Sequence, residues 1–139
     1  MKKGGILNPS LIGVLAALGH TDALVVCDAG LPVPDGPKRV DVSLVPGIPR
    51  FTDTVRAILA EFCVESALVA EEMVAGNTGI YKELVHMLGD TPVRMVPHKT
   101  LKDLSREAKA LVRTGETTPY ANVILYSGIK GVFRAGEPG

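Results

Sequence analysis

The sequence predicts an α/β protein, a three-layer α/β/α sandwich built on a mainly parallel central sheet. Three observations carry that reading. Short apolar runs rich in Val, Ile and Leu recur along the 139 residues, amphipathic stretches of helical period separate them, and Gly, Pro or Asp marks the joins. Strands without a polar face need cover on both sides, which a parallel sheet between helix layers provides.

Taken in order, Ser10 is placed to cap a helix over 10–18, its side-chain oxygen accepting an otherwise unpaired backbone N–H, and Gly19 stops it. His20 falls just past that end. Residues 23–27 form a continuous apolar run, short enough for a buried strand, closed by Asp28-Ala29-Gly30. Half of the ten prolines lie between 32 and 50, so that segment reads as a long irregular connection with at most one edge strand, over 40–44. The helix over 52–63 is the clearest: Val55, Ile58, Leu59, Phe62 and Cys63 share one face. Residues 66–70 read as a strand ended by Glu71 and Glu72. The 76–79 turn then opens a helix that points Ile80, Leu84, Met87 and Leu88 inward. A strand over 92–96 follows, then a helix lined by Leu101, Leu104, Ala108, Leu111 and Val112 and closed by Gly115, and a last strand over 122–126.

The length suits one domain spanning 1–139, and a chain near this size buries roughly 68–70% of its exposable surface on folding, so no disulfide is needed. Fifteen basic residues balance fifteen acidic ones, with no dense basic stretch, which argues against nucleic acid as a partner. Cys27 and Cys63 sit in apolar runs and read as two buried thiols. Lys2 and Lys3 ahead of the apolar stretch 11–18 have the outline of a secretory leader. Gly13 interrupts that stretch, though, and His20, Asp22 and Asp28 follow too closely for a cleavage site. Nothing approaches the ~20 apolar residues of a membrane span.

Chemistry is expected just past the carboxyl ends of the strands, where ligands gather in open α/β sheets. Asp28, the Glu71-Glu72 pair and His98 stand there, with His20 ahead of the first strand. Imidazoles and a carboxylate at such positions suit proton transfer near neutral pH. The plainer reading has His20 capping helix carbonyls, Asp28 accepting turn amides and His98 solvated. His86, inside a helix, reads as a surface histidine. Lys99 and Lys102 fall in the first turn of the helix after His98, where the dipole disfavours cations, and hint weakly at an anion or an oxygen-rich ligand. Tyr120, Ala121 and Asn122 enter the last strand from a polar loop; a phenol beside an amide suits a sugar, and so does a plain sheet-margin tyrosine. No nucleotide-binding glycine motif is present, and His20, Asp22, Asp28 and His98 lack any metal-ligand spacing.

Several segments together resemble the D-ribose pyranase family, which includes the fucose mutarotases, over essentially the whole chain. They are Lys3-Gly4-Gly5-Ile6-Leu7-Asn8, Gly19-His20-Thr21-Asp22, Asp28-Ala29-Gly30-Leu31-Pro32-Val33-Pro34, Val96-Pro97-His98 and Pro119-Tyr120-Ala121-Asn122-Val123-Ile124-Leu125. The resemblance implies a cytoplasmic isomerase without cofactor or metal that interconverts ribose ring forms and feeds ribokinase. By the same resemblance His20 is the proton donor, Asp28 and His98 bind the sugar, and Tyr120, Ala121 and Asn122 close the site, Ala121 through its backbone alone. Lys102 matches a position where the family tends to carry a basic residue. A ring-like homodecamer with sites completed by neighbouring subunits is also implied. The alternatives are a fucose-type mutarotase and a non-catalytic sugar-binding accessory of ribose uptake.

Overall fold

A computed structural model describes residues 1–76 and 78–133. The chain order is α1 (Pro9–Ala17), β1 (Ala23–Cys27), β2 (Lys38–Asp41), α2 (Phe51–Leu59), β3 (Val64–Ala70), α3 (Glu71–Gly76), α4 (Thr78–Leu88), β4 (Val93–Val96), α5 (His98–Ser105), β5 (Ala110–Arg113) and β6 (Val123–Ser127). Six strands form one sheet in the order β2-β5-β1-β6-β3-β4. β1 and β2 pair parallel with β5, β3 pairs parallel with β4, and β6 runs antiparallel to both β1 and β3. Five strands therefore point one way and β6 alone points the other, so the segment entering β6 arrives at the edge where the other strands end.

Both faces are covered, as strands with no polar side require. Leu24, Val26, Val69, Val112 and Leu125 pack under Leu11 and Val14 of α1, Phe51, Val55 and Ile58 of α2, and Leu84 of α4. Val25, Leu68, Leu111 and Ile124 face the other way, against Leu101 of α5, Ala108 and Leu31. Leu24, Ile58, Leu84, Leu101, Leu111 and Ile124 are fully buried, each a contribution of roughly 1.5–3 kcal/mol. No helix among the described residues is long and apolar enough to cross a membrane.

Several predicted elements differ from the structure. The predicted helix over 101–115 breaks after Ser105, whose hydroxyl donates to the Lys102 carbonyl, and 110–113 is the strand β5. Leu111 faces one apolar layer while Ala110 and Val112 face the other. With both faces buried, this short segment carries no polar period to separate strand from helix, and parallel ladders on both sides decide it. Helix α1 is capped by Asn8 rather than Ser10: the Asn8 side chain accepts from Leu11 N–H, and Pro9 takes the first turn, where its missing N–H costs nothing. The edge strand is β2, two residues earlier than expected. Helix α2 stops at Leu59, because the chain must turn there into β3. Cys63 consequently lies in the turn, half-buried, its thiol donating to the Lys130 carbonyl, while Cys27 is fully buried. Glu71 and Glu72 open the short α3, which the sequence did not announce. In the expected 76–79 turn, Asn77 lies outside the described residues.

Candidate active site

The loops at the carboxyl edge enclose a cleft of about 560 Å³ lined by residues 28–32, His98, Lys102, Glu116, Thr117, Pro119 and Tyr120. That volume suits a small polar molecule. Each of its functional side chains is held by a specific local device.

Asp28 follows β1 directly and is buried. Its Oδ1 accepts the Gly30 and Leu31 N–H groups at 3.0 and 2.8 Å, closing the turn that ends the strand. No donor reaches Oδ2 among the described residues. Burial pushes the carboxyl above its usual range, against the Gly30 and Leu31 amides, Asn122 and His98, which favour the charged form. The plain reading of Asp28 as an acceptor for turn amides is correct for Oδ1.

Asn122 is fully buried just before β6, and its Oδ1 accepts Asp28 N–H at 2.9 Å. That bond fixes the amide's orientation. His98 opens α5. Pro97 precedes it and offers no side-chain cap; instead the Glu72 carboxylate from α3 accepts His98 N–H at 3.0 and 3.2 Å. A carboxylate at a helix N-terminus is favoured by the dipole. Tyr120 meets the His98 ring edge-on, with centroids 5.0 Å apart and planes at 81°. It holds a left-handed φ of 65°, uncommon for a residue with a Cβ. Ala121 beside it is wholly buried. Among the described residues, two buried polar atoms, His98 Nδ1 and Asn122 Nδ2, find no hydrogen-bond partner. Leaving a buried polar group unmatched costs about 1–3 kcal/mol; His98 lines the cleft, and Asn122 lies behind it, bonded to the Asp28 main chain.

Of the predicted set, Asp28, His98, Tyr120 and Asn122 come together, and His20 does not. His20 precedes β1, and a five-residue strand at ~3.3 Å per residue sets it about 17 Å from the edge where Asp28 stands. Among the described residues it makes no side-chain bond to a helix carbonyl. Its Nε2 lies 2.8 Å from Glu65 Oε2, and its turn is held by Gly19 N–H donating to Asp22 at 2.8 Å and Thr21 N–H donating to the Ser127 carbonyl at 2.8 Å. A separate depression surrounds it, lined in part by Leu18, Phe62, Cys63, Val132 and Phe133. The set His20, Asp22, Asp28 and His98 therefore cannot converge on one metal within the chain, and no cluster of three or more His, Cys, Asp or Glu side chains among the described residues is arranged to hold one. Lys102 lies in the last turn of α5, where the dipole favours it, so only Lys99 keeps the unfavourable placement predicted for both.

Sequence reading missed three supports. Glu72, noted only for standing after a strand, caps α5. Arg113 at the end of β5 donates from Nε to the Ala29 carbonyl at 3.1 Å and from a terminal nitrogen to Asp41 and Ser43, tying the Asp28 turn to β2. Glu116 is a buried carboxylate facing the cleft. Had 110–113 been recognised as a strand, the rule that ligands gather past strand ends would have singled out Arg113 and Glu116.

The chain belongs to the RbsD / FucU transport protein family, whose profile matches residues 1–130. Among curated relatives named D-ribose pyranase, one from Symbiobacterium thermophilum is 52% identical and one from Laribacter hongkongensis 51%, each over 129 residues that cover 93% of this chain and 98% of the relative. The Bacillus subtilis RbsD structure complexed with D-ribose superposes with a TM-score of 0.88 at 48% identity, covering 92% of this chain and 98% of that one. A Streptococcus pneumoniae fucose mutarotase structure in complex with L-fucose gives 0.74 at 25% identity, covering 88% and 93%.

Proposed function

We propose that this chain is an isomerase interconverting the pyranose and furanose forms of D-ribose, supplying ribofuranose to ribokinase. The observation that carries the reading is the pair of buried, unmatched atoms, His98 Nδ1 and Asn122 Nδ2, beside the free Asp28 oxygen. Together they offer a neutral polyol an acceptor and a donor whose hydrogen bonds the protein itself does not use. The likeness to relatives named D-ribose pyranase, at about twice the identity of the fucose mutarotase, favours ribose over fucose.

The chemistry needs only proton transfers. Ring opening removes the proton of the anomeric hydroxyl and delivers one to the ring oxygen, leaving an open-chain aldehyde; a different hydroxyl then attacks the carbonyl and the transfers reverse. Asp28, His98 and Asn122 hold the hydroxyls, Tyr120 closes over the sugar with the Ala121 backbone beneath it, and His20 protonates the departing ring oxygen. No cofactor or metal takes part in these steps. With His20 at the far end of its own chain, the acid acting on a given sugar comes from a neighbouring subunit. Exposed Val132 and Phe133 lie near His20, and exposed Leu44 and Val45 lie beside Ala29 at the other end. Two different apolar patches at opposite ends suit a head-to-tail interface, which closes into a ring where the rotation between subunits closes. The assembly is a homodecamer of single-domain subunits, 1–139, working in the cytoplasm.

Subunit mixing tests this reading. His20→Ala and Asp28→Asn chains should each be silent in ribose ring exchange, whereas a randomly mixed assembly should regain about one quarter of the wild-type rate, since one site in four pairs an intact His20 with a neighbour's intact Asp28. Silence in verified mixed assemblies would overturn the shared site, and a wild-type protein that accelerates fucose but not ribose exchange would overturn the substrate.

A further inference from the structure

We propose that Glu116 is a positioning residue that sets Tyr120 against His98 and thereby governs sugar affinity. The inference rests on the ribose-exchange reading. Glu116 stands three residues past β5 and is 7% exposed, yet its carboxylate has no ion pair among the described residues. A buried carboxylate is stable only where donors replace its water. Here three do so: Phe51 N–H reaches Oε1 at 3.1 Å, while the Thr118 N–H and hydroxyl reach Oε2 at 3.3 and 2.8 Å. Its main chain is tied as well, the N–H donating to Thr114 Oγ1 at 3.1 Å and the carbonyl accepting from Ala29 N–H at 2.8 Å.

These bonds join three separate parts of the site. The Phe51 N–H belongs to the first turn of α2, whose N-cap residue Arg50 makes no side-chain cap, so Glu116 supplies the missing acceptor and its charge meets the positive end of the dipole. Ala29 follows Asp28. Thr118 lies two residues before Tyr120, and Pro119 between them limits backbone freedom. Tyr120 itself sits in the left-handed region, a conformation that persists only when its surroundings enforce it. The Glu116–Thr118 clamp supplies that enforcement on the amino side, and the Asn122 N–H bond to the Tyr120 carbonyl at 2.9 Å supplies it on the other. The carboxylate is thus an anchor fixed to the rigid start of a helix, from which the loop carrying Tyr120 hangs.

The test uses the full-length protein and separates the loop from the helix cap. Thr118→Val removes the hydroxyl bond at constant shape and leaves Phe51 capped, Thr118→Ser keeps the hydroxyl, and Glu116→Gln weakens both halves. Charge-assisted hydrogen bonds of this kind make a rise of roughly tenfold in KM for ribose the expected effect of Thr118→Val, with kcat changed less than about twofold. Thr118→Ser should stay near wild type, and Glu116→Gln should raise KM at least as much as Thr118→Val. In the ligand-free protein, Tyr120 ring resonances, which sense the His98 ring, should shift in Thr118→Val and Glu116→Gln and not in Thr118→Ser. Unchanged KM and unchanged Tyr120 resonances in Thr118→Val overturn the proposal, as does a loss confined to thermal stability. Should the wild type fail to accelerate ribose exchange, the functional reading falls by itself, while the ligand-free resonances still decide whether Glu116 positions Tyr120.

Discussion

Replacing Asn122 with Ala separates a ligand-binding side chain from a merely structural one, because its two polar atoms act in opposite directions on stability. Oδ1 satisfies the buried Asp28 N–H; losing it strands that donor at a cost of about 1–3 kcal/mol. Nδ2 is itself stranded in the ligand-free protein, so its removal returns a similar amount. The two nearly cancel, and the small cavity left behind adds about 1 kcal/mol, so Tm should fall by only about 3–5 °C. Binding has no such compensation. The sugar loses the Nδ2 donor and meets an Asp28 turn no longer pinned, a loss of about 1.5–3 kcal/mol or roughly 10–100-fold in Kd. Titration of ribose against the variant, beside a thermal melt, reads both quantities. A large drop in Tm with unchanged ribose affinity would refute the assignment of Asn122 to the sugar.

Asp28→Asn keeps an Oδ1 acceptor for the Gly30 and Leu31 amides and should abolish ribose exchange while raising Tm at neutral pH. Because burial lifts the Asp28 pKa in the folded state, its stabilising contribution is present below the ordinary carboxylate range and lost as pH rises through the lifted value, so the gain in Tm should shrink in melts at progressively lower pH. By the same lift, the acid limb of the wild-type exchange rate should fall above the ordinary carboxylate range, and a limb at the ordinary value contradicts it. Gly115→Ala should destabilise by about 1–3 kcal/mol in a denaturant melt. A Cβ there stands 2.5 Å from the Ile48 carbonyl oxygen and 2.7 Å from that of Val45, both backbone atoms with little room to yield.

How much of this was legible in the sequence depended on whether a segment carried a one-sided pattern. Residues 23–27 are apolar throughout and end sharply at Asp28, so β1 and the residue after it could be read directly. α2 was found by its apolar face and mis-measured at its end, since no Gly or Pro marks where the chain turns into β3. β5 was lost because Ala110, Leu111 and Val112 are apolar on both sides and happen to continue the helical spacing of Leu101, Leu104 and Ala108. That error hid Arg113 and Glu116, whose meaning depends on standing at a strand's carboxyl end. The antiparallel course of β6 has no local signature at all, yet it is what carries Tyr120 and Asn122 to Asp28. The separation of His20 from Asp28 was implicit: one precedes a strand and the other follows it, so a single chain could never bring them together.

The most direct measurement is magnetisation transfer by NMR between the ring forms of equilibrated D-ribose, with and without catalytic amounts of the protein. The account predicts that pyranose and furanose signals exchange faster by roughly 10²–10⁴-fold with the wild type, the range that general acid–base catalysis supplies, and at the uncatalysed rate with Asp28→Asn. Ribose that binds the wild-type protein while exchanging no faster than in buffer would contradict it.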